Sequence, residues 1–285
     1  MRRVLSVILV SFLLAPCVLA QAAKSEFFQT SDGIRIHYLD AGSGAPIVFI
    51  PGWTMPAWIW QKQIDEFAKR YRVIVVDPRS QGESDKPNYG HLPETRARDY
   101  KELVDHLALK RPVLVGWSMG CPELAKYAQQ FGTENVGAIV MVDGFLTEKP
   151  SPEMFLGLSG WMNLLQSDRQ KQADGFVRTM FKKPQTEDYI ERVVAASMQT
   201  PSDTAAVLIY NMIAARDIPA GLARIDKPLL FAYQPETQST ADLLKSKLGE
   251  KVRFERFDGD GHALFVDDPE KFNRVLEDFV QSLPH

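Results

Sequence analysis

The chain has 285 residues, 45% hydrophobic and 24% charged, with a formal net charge of -3 and two cysteines. That length suits one large α/β domain whose own core holds it without disulfide or metal. The mild acidity, with no basic block, excludes nucleic acid and anionic membrane surfaces as expected partners.

The first twenty residues stand apart. Arg2 and Arg3, an apolar run over 4–15 and the small-residue end Val18-Leu19-Ala20 are the parts of a secretory signal peptide cleaved after Ala20. The run is too short and wrongly flanked to span a bilayer, so the mature chain, 21–285, is expected to be secreted or periplasmic with no membrane span. An uncleaved membrane anchor and lipidation at Cys17, against which Pro16 stands, are the alternatives. Cleavage leaves Cys121 as the one cysteine, which excludes an internal disulfide.

Two apolar-rich runs, EFFQT (26–30) and IRIHYL (34–39), flank Ser31-Asp32-Gly33 and predict a hairpin. Six more short runs follow: PIVFI (46–50), RVIVV (72–76), PVLVG (112–116), VGAIVMV (136–142), PLLFAY (228–233) and KVRFERF (251–257). Helical spacing lies between several of them, over 58–70, 96–109 and 122–131. β-branched, nearly continuous apolar runs alternating with helices predict an eight-stranded, mostly parallel sheet buried on both faces. From 147 to about 221 only helix-like segments occur, broken by Pro152, Pro184, Pro201 and Pro219. That insertion reads as a helical cap over the strand ends, where parallel sheets bind ligands.

The stretch Gly116-Trp117-Ser118-Met119-Gly120 follows a strand and precedes a helix. Glycines permit the sharp turn that lifts the Ser118 hydroxyl to the top of the sheet, and the helix N-terminus aims its amides there. A serine needs an adjacent base to be nucleophilic. His37 falls in the hairpin, His106 in a helix, His91 in a polar loop and His285 at the terminus. His262 follows a strand through Asp258-Gly259-Asp260-Gly261 and precedes an amphipathic helix opened by Asp268-Pro269, so it reaches the same sheet edge and is the candidate base. The residue after the nucleophile, Met119, supplies one backbone donor for a tetrahedral oxyanion. Trp53, Met55, Trp58, Trp60 and Trp117 are candidates for an apolar acyl pocket, with core packing the alternative for Trp58 and Trp60.

On PGW (51–53), VVDPRSQGESDKP (75–87), GWSMG (116–120) and DGDGHALFVDDPEKF (258–272), in that order, the chain resembles the α/β-hydrolase family over roughly residues 25–283. The resemblance implies that fold, a Ser–acid–His triad with the acid between Ser118 and His262, and Trp53 as the second amide donor. The sequence departs from the pattern at the acid, because Thr237 stands where most relatives carry aspartate. Asp143 at the end of IVMV and Glu236 beside Thr237 are the two substitutes, and the rigidity of a strand end favours Asp143.

The function expected is a serine hydrolase acting on an apolar carboxylic ester or related acyl bond. With no HExxH or paired CxxC spacing and no phosphate loop, it calls for no cofactor and no metal. The alternatives are a cofactor-free perhydrolase or haloperoxidase using the same acyl-enzyme, a carbon–carbon bond hydrolase, and a ligand-binding protein on this scaffold. Relatives that dehalogenate or open epoxides need an aspartate where this chain has Ser118.

Overall fold

The computed structural model describes residues 22–215 and 217–284. The expected signal peptide over 1–20, with Cys17 and the cleavage point after Ala20, lies outside the described residues, as does His285.

All eight predicted runs are strands: β1 (Lys24–Gln29), β2 (Arg35–Gly42), β3 (Pro46–Ile50), β4 (Arg72–Val76), β5 (Val113–Trp117), β6 (Ala138–Val142), β7 (Leu229–Tyr233) and β8 (Val252–Arg256). They form one sheet in the order β1-β2-β4-β3-β5-β6-β7-β8. The β1–β2 and β2–β4 pairs are antiparallel, and every other pair is parallel. Each residue of β5, β6 and β7 is buried, because helices cover both faces. The edge strand β8 has only its first residue buried.

The helices are α1 (Gln61–Phe67), α2 (Pro93–His106), α3 (Gly120–Phe131), α4 (Pro152–Ser167), α5 (Arg169–Thr179), α6 (Glu187–Met198), α7 (Ser202–Ala214), α8 (Ile218–Ala223), α9 (Gln238–Leu248), α10 (Leu264–Asp267) and α11 (Pro269–Gln281). The helical spacing over 58–70 resolves into a tight 3-10 turn at Ala57–Trp60 and then α1. Trp60 is fully buried, stacked on Phe265 with ring centroids 3.7 Å apart. That stack packs the turn before α1 against α10. The opening of α11 follows its sequence signal: Asp268 Oδ1 accepts from the Lys271 amide at 3.0 Å, and Pro269 takes the first helical position.

The insertion between β6 and β7 holds helices joined by loops, and its last helix joins the body. Ile218 and Leu222 of α8 share a core with Leu124 of α3, and a Cβ on Gly221 would fall 2.3 Å from the Ala125 carbonyl oxygen. Only glycine allows that approach. The helices above the strand ends are therefore α4–α7, where Leu165, Ala205, Ala206 and Leu208 close over Trp53 and Met119. Among the described residues no helix is long and apolar enough to cross a membrane.

Candidate active site

β5 ends at Trp117, α3 begins at Gly120, and the two residues between them make the turn. Ser118 has φ of 54°, a left-handed conformation that costs a non-glycine residue on the order of 1–3 kcal/mol. Its carbonyl accepts from the Cys121 amide at 3.0 Å and its amide donates to the Val142 carbonyl at 2.9 Å, which hold the strained turn. A Cβ on Gly116 would sit 2.7 Å from the Gly120 carbonyl oxygen, so the strand cannot run this close to α3 with a larger residue. On the other side, the loop after β3 brings Gly52 against Ser118, where an added Cβ would lie 3.0 Å from Ser118 Cβ. Among the described residues neither the Trp53 amide nor the Met119 amide donates to another group. Both residues are buried, and an oxyanion hole needs amide donors that are not already engaged.

His262 lies between β8 and α10, half-buried, on a loop tied at both ends. The Gly261 amide donates to Asp267 Oδ2 at 2.7 Å, the Ala263 amide donates to the Met180 carbonyl at 2.9 Å, and Trp117 Nε1 donates to the His262 carbonyl at 2.9 Å. Asp143, the residue after β6, is fully buried with φ of 44°. Its Oδ2 lies 2.7 Å from His262 Nδ1, while Oδ1 accepts from the Gln234 amide at 3.0 Å and from Thr237 Oγ1 at 2.6 Å. A carboxylate can only accept, so Nδ1 carries the proton and Nε2 keeps its lone pair. Three donors make up for the water this carboxylate has lost.

The structure brings Asp143 and His262 together and leaves Glu236 out. Glu236 is exposed at the start of α9's approach, paired with Lys182 Nζ at 3.3 Å. Among the described residues no hydrogen bond joins the Ser118 hydroxyl to His262; such contacts commonly tighten only around bound substrate. The donor from Thr237 was not legible as such in the sequence, although its place beside the expected acid position was the available signal.

The remaining histidines have other partners. His91 bonds Ser80 Oγ at 3.0 Å, and burial together with Arg96 and Arg79 pushes its pKa down. His106 stacks on Phe28. His37 sits between Asp77 Oδ2 at 2.7 Å and Ser25 Oγ at 2.9 Å, a second Ser–His–Asp set. Ser25 lies within the regular strand β1, with no sharp turn and no helix N-terminus behind it, so hydrogen bonding alone does not make a nucleophile. Cys121 is buried with Sγ on the Gly116 carbonyl, and burial pushes its thiol up, away from nucleophilic use.

Of the aromatic candidates, Trp60 and Trp117 are core, and Trp58 stacks beneath Arg192 and beside Tyr189. Trp53 faces the cap: its ring lies 4.8 Å from Trp161 and 5.1 Å from Phe176. Those two rings also line an apolar groove of about 520 Å³ between α4, α5 and α7, with Leu158, Ile209 and Ile213.

A family model described as the alpha/beta hydrolase family matches residues 47–275. The chain is 30% identical over 276 residues to a non-heme chloroperoxidase of Streptomyces lividans, covering 89% of this chain and 98% of the relative. An esterase from Exiguobacterium antarcticum superposes with a TM-score of 0.85 at 26% identity, covering 91% of this chain and all of the esterase. A bromoperoxidase from Bacillus anthracis, at 21% identity and a TM-score of 0.83, shares the fold across 91% of this chain and 100% of its own.

Proposed function

The chain belongs to the alpha/beta hydrolase family, and from that premise we propose that it is an exported serine esterase working through an acyl-enzyme on Ser118. The observation that carries the reading is the buried Asp143 carboxylate on His262 Nδ1, at the same strand edge as the strained serine turn. Ser118 Oγ attacks the ester carbonyl carbon while His262 Nε2 takes its proton, and the Trp53 and Met119 amides hold the oxyanion. The tetrahedral species collapses, the C–O bond to the leaving alcohol breaks, and His262 returns the proton to that oxygen. Water then attacks the acyl-enzyme by the same route, releasing the acid and regenerating Ser118. The apolar cap residues packed on Trp53 and Met119 favour an apolar acyl or aryl group.

The test is hydrolysis of p-nitrophenyl esters from acetate to decanoate by wild type and Ser118→Ala. Turnover confined to the wild type supports the reading, and no turnover by a folded wild type overturns it. Export is tested by N-terminal sequencing of the chain released from an expressing cell, with Gln21 expected first.

A second reading, perhydrolysis, is favoured by the likeness to the S. lividans chloroperoxidase. In that reading hydrogen peroxide attacks the acyl-enzyme in place of water, the bond to Ser118 Oγ breaks, and the peracid leaves. Bromide oxidation that needs both peroxide and a carboxylic acid, and disappears in Ser118→Ala, would establish it.

A further inference from the structure

We propose that Arg169, at the start of α5 in the cap, is a positioning residue for the oxyanion side of the site, acting through Ser197 and Thr54 on the Trp53 amide. The inference rests on the serine hydrolase reading. It starts from a buried charge with no carboxylate partner among the described residues. Arg169 is 9% exposed, and its Nη2 donates to the Ser197 carbonyl at 2.8 Å and to Ser197 Oγ at 3.2 Å. Its Nε and Nη1 are buried with no partner among the described residues, and burial pushes its pKa down. A guanidinium buried without a carboxylate is costly to the fold, which points to a role beyond stability.

The contacts say where. Ser197, fully buried in α6, shares a hydrogen bond of 2.8 Å with Thr54 Oγ1. Thr54 is fully buried with φ of 59°, a strained conformation for a β-branched residue that persists only when its surroundings enforce it. The Arg169 guanidinium also lies over the Trp53 ring, 5.5 Å from its centroid, and Trp53 Nε1 donates to the Ala205 carbonyl of α7 at 2.8 Å. Residues 53 and 54 are thus gripped from α5, α6 and α7 at once. The grip sets the peptide planes on both sides of Trp53, and an oxyanion donor is effective only when its N–H points at the developing charge.

The experiment compares Arg169→Met, Arg169→Lys, Ser197→Ala and wild type in ester turnover, inhibition by phenylboronic acid, Ser118 labelling by a fluorophosphonate, and thermal melting. The boronate forms a tetrahedral adduct whose oxygen needs the oxyanion donors. Arg169→Met is expected to lower kcat about 10- to 100-fold with KM within about twofold, and to weaken boronate inhibition by a similar factor. The loss of kcat should exceed anything a change in its melting temperature accounts for. Arg169→Lys, which can keep the bond to the Ser197 carbonyl, should recover part of kcat. Ser197→Ala should lower kcat in the same direction, and adding it to Arg169→Met should cost less than the two effects combined. Unchanged kcat and boronate inhibition in both Arg169→Met and Ser197→Ala would overturn the inference. So would a loss confined to KM, or one that tracks a fallen melting temperature. If Arg169→Met does not fold, the Lys and Ala variants decide by the same readings. A wild type that neither labels nor turns over esters overturns the hydrolase reading itself, before any variant is compared.

Discussion

The Thr237 hydroxyl donates to Asp143 Oδ1 at 2.6 Å, joining the segment after β7 to the residue that ends β6. Together with the Gln234 amide it occupies one carboxylate oxygen and leaves the other, Oδ2, for His262. The orientation of the imidazole is therefore set through a carboxylate held from two neighbouring strands.

This arrangement separates the two candidate acids. Asp143→Asn is expected to lower kcat/KM by ~10³–10⁴, because the amide stabilises neither the tautomer nor the imidazolium. Glu236→Gln should stay within about twofold, since its partner is Lys182 at the surface. Adding Thr237→Asp to Asp143→Asn should restore at least about tenfold if a carboxylate after β7 can reach His262. Ester kinetics on the four proteins decide it, and an inactive Glu236→Gln would refute the assignment.

Gly144 should be intolerant. A Cβ there would meet Cys121 Sγ at 2.3 Å, Cys121 Cβ at 2.4 Å and the Ser118 carbonyl oxygen at 3.0 Å. Gly144→Ala should cost about 1–3 kcal/mol in urea denaturation and displace the serine turn, so activity falls as well. Gly157 in α4 has nothing within 4 Å of an added Cβ, and Gly157→Ala should gain about 0.5–1 kcal/mol by helix propensity alone.

Cys121 should be silent to thiol reagents in the folded state. Its side chain is fully buried and its thiol is pushed up, so little thiolate forms at pH 8 and the reagent cannot reach it. In a Cys17→Ser background, colour release from a disulfide reagent should appear only at the rate of unfolding. Rapid reaction without denaturant would show that α3 opens locally.

Acid sensitivity should have a visible contribution from Asp32. The Arg79 guanidinium beside it, reaching Oδ2 at 2.8 Å, holds its carboxyl well below the usual carboxylate range. A depressed folded pKa adds stability above the unfolded value of about 3.9, and that stability is lost as pH falls below it. The difference in unfolding free energy between wild type and Asp32→Asn should be full at pH 6 and shrink steadily below about pH 4. A difference independent of pH would mean that the side chain acts by shape or neutral hydrogen bonding.

Much of this molecule was legible in one dimension. Continuous β-branched runs such as PIVFI and VGAIVMV announce strands buried on both faces, because no polar side chain is needed along them. Glycines 116 and 120 around Ser118 announce a turn too tight for side chains, and Asp268-Pro269 announces the start of α11. The boundary of the cap was less legible. Whether α8 lies over the strand ends or under α3 depends on the fit of Gly221 against Ala125, a contact between segments almost a hundred residues apart.

Local pattern and chain order thus determined the sheet, the serine turn and the set of histidines and carboxylates at the strand ends, since each depends on residues close in sequence. The tertiary structure alone decided which carboxylate meets His262, that Thr237 serves that carboxylate, and that a buried arginine of the cap lies on Trp53. Those outcomes depend on distances of a few ångströms between segments that meet only when parallel strands and the helices above them close on one another. The periodicity of any one segment does not encode them.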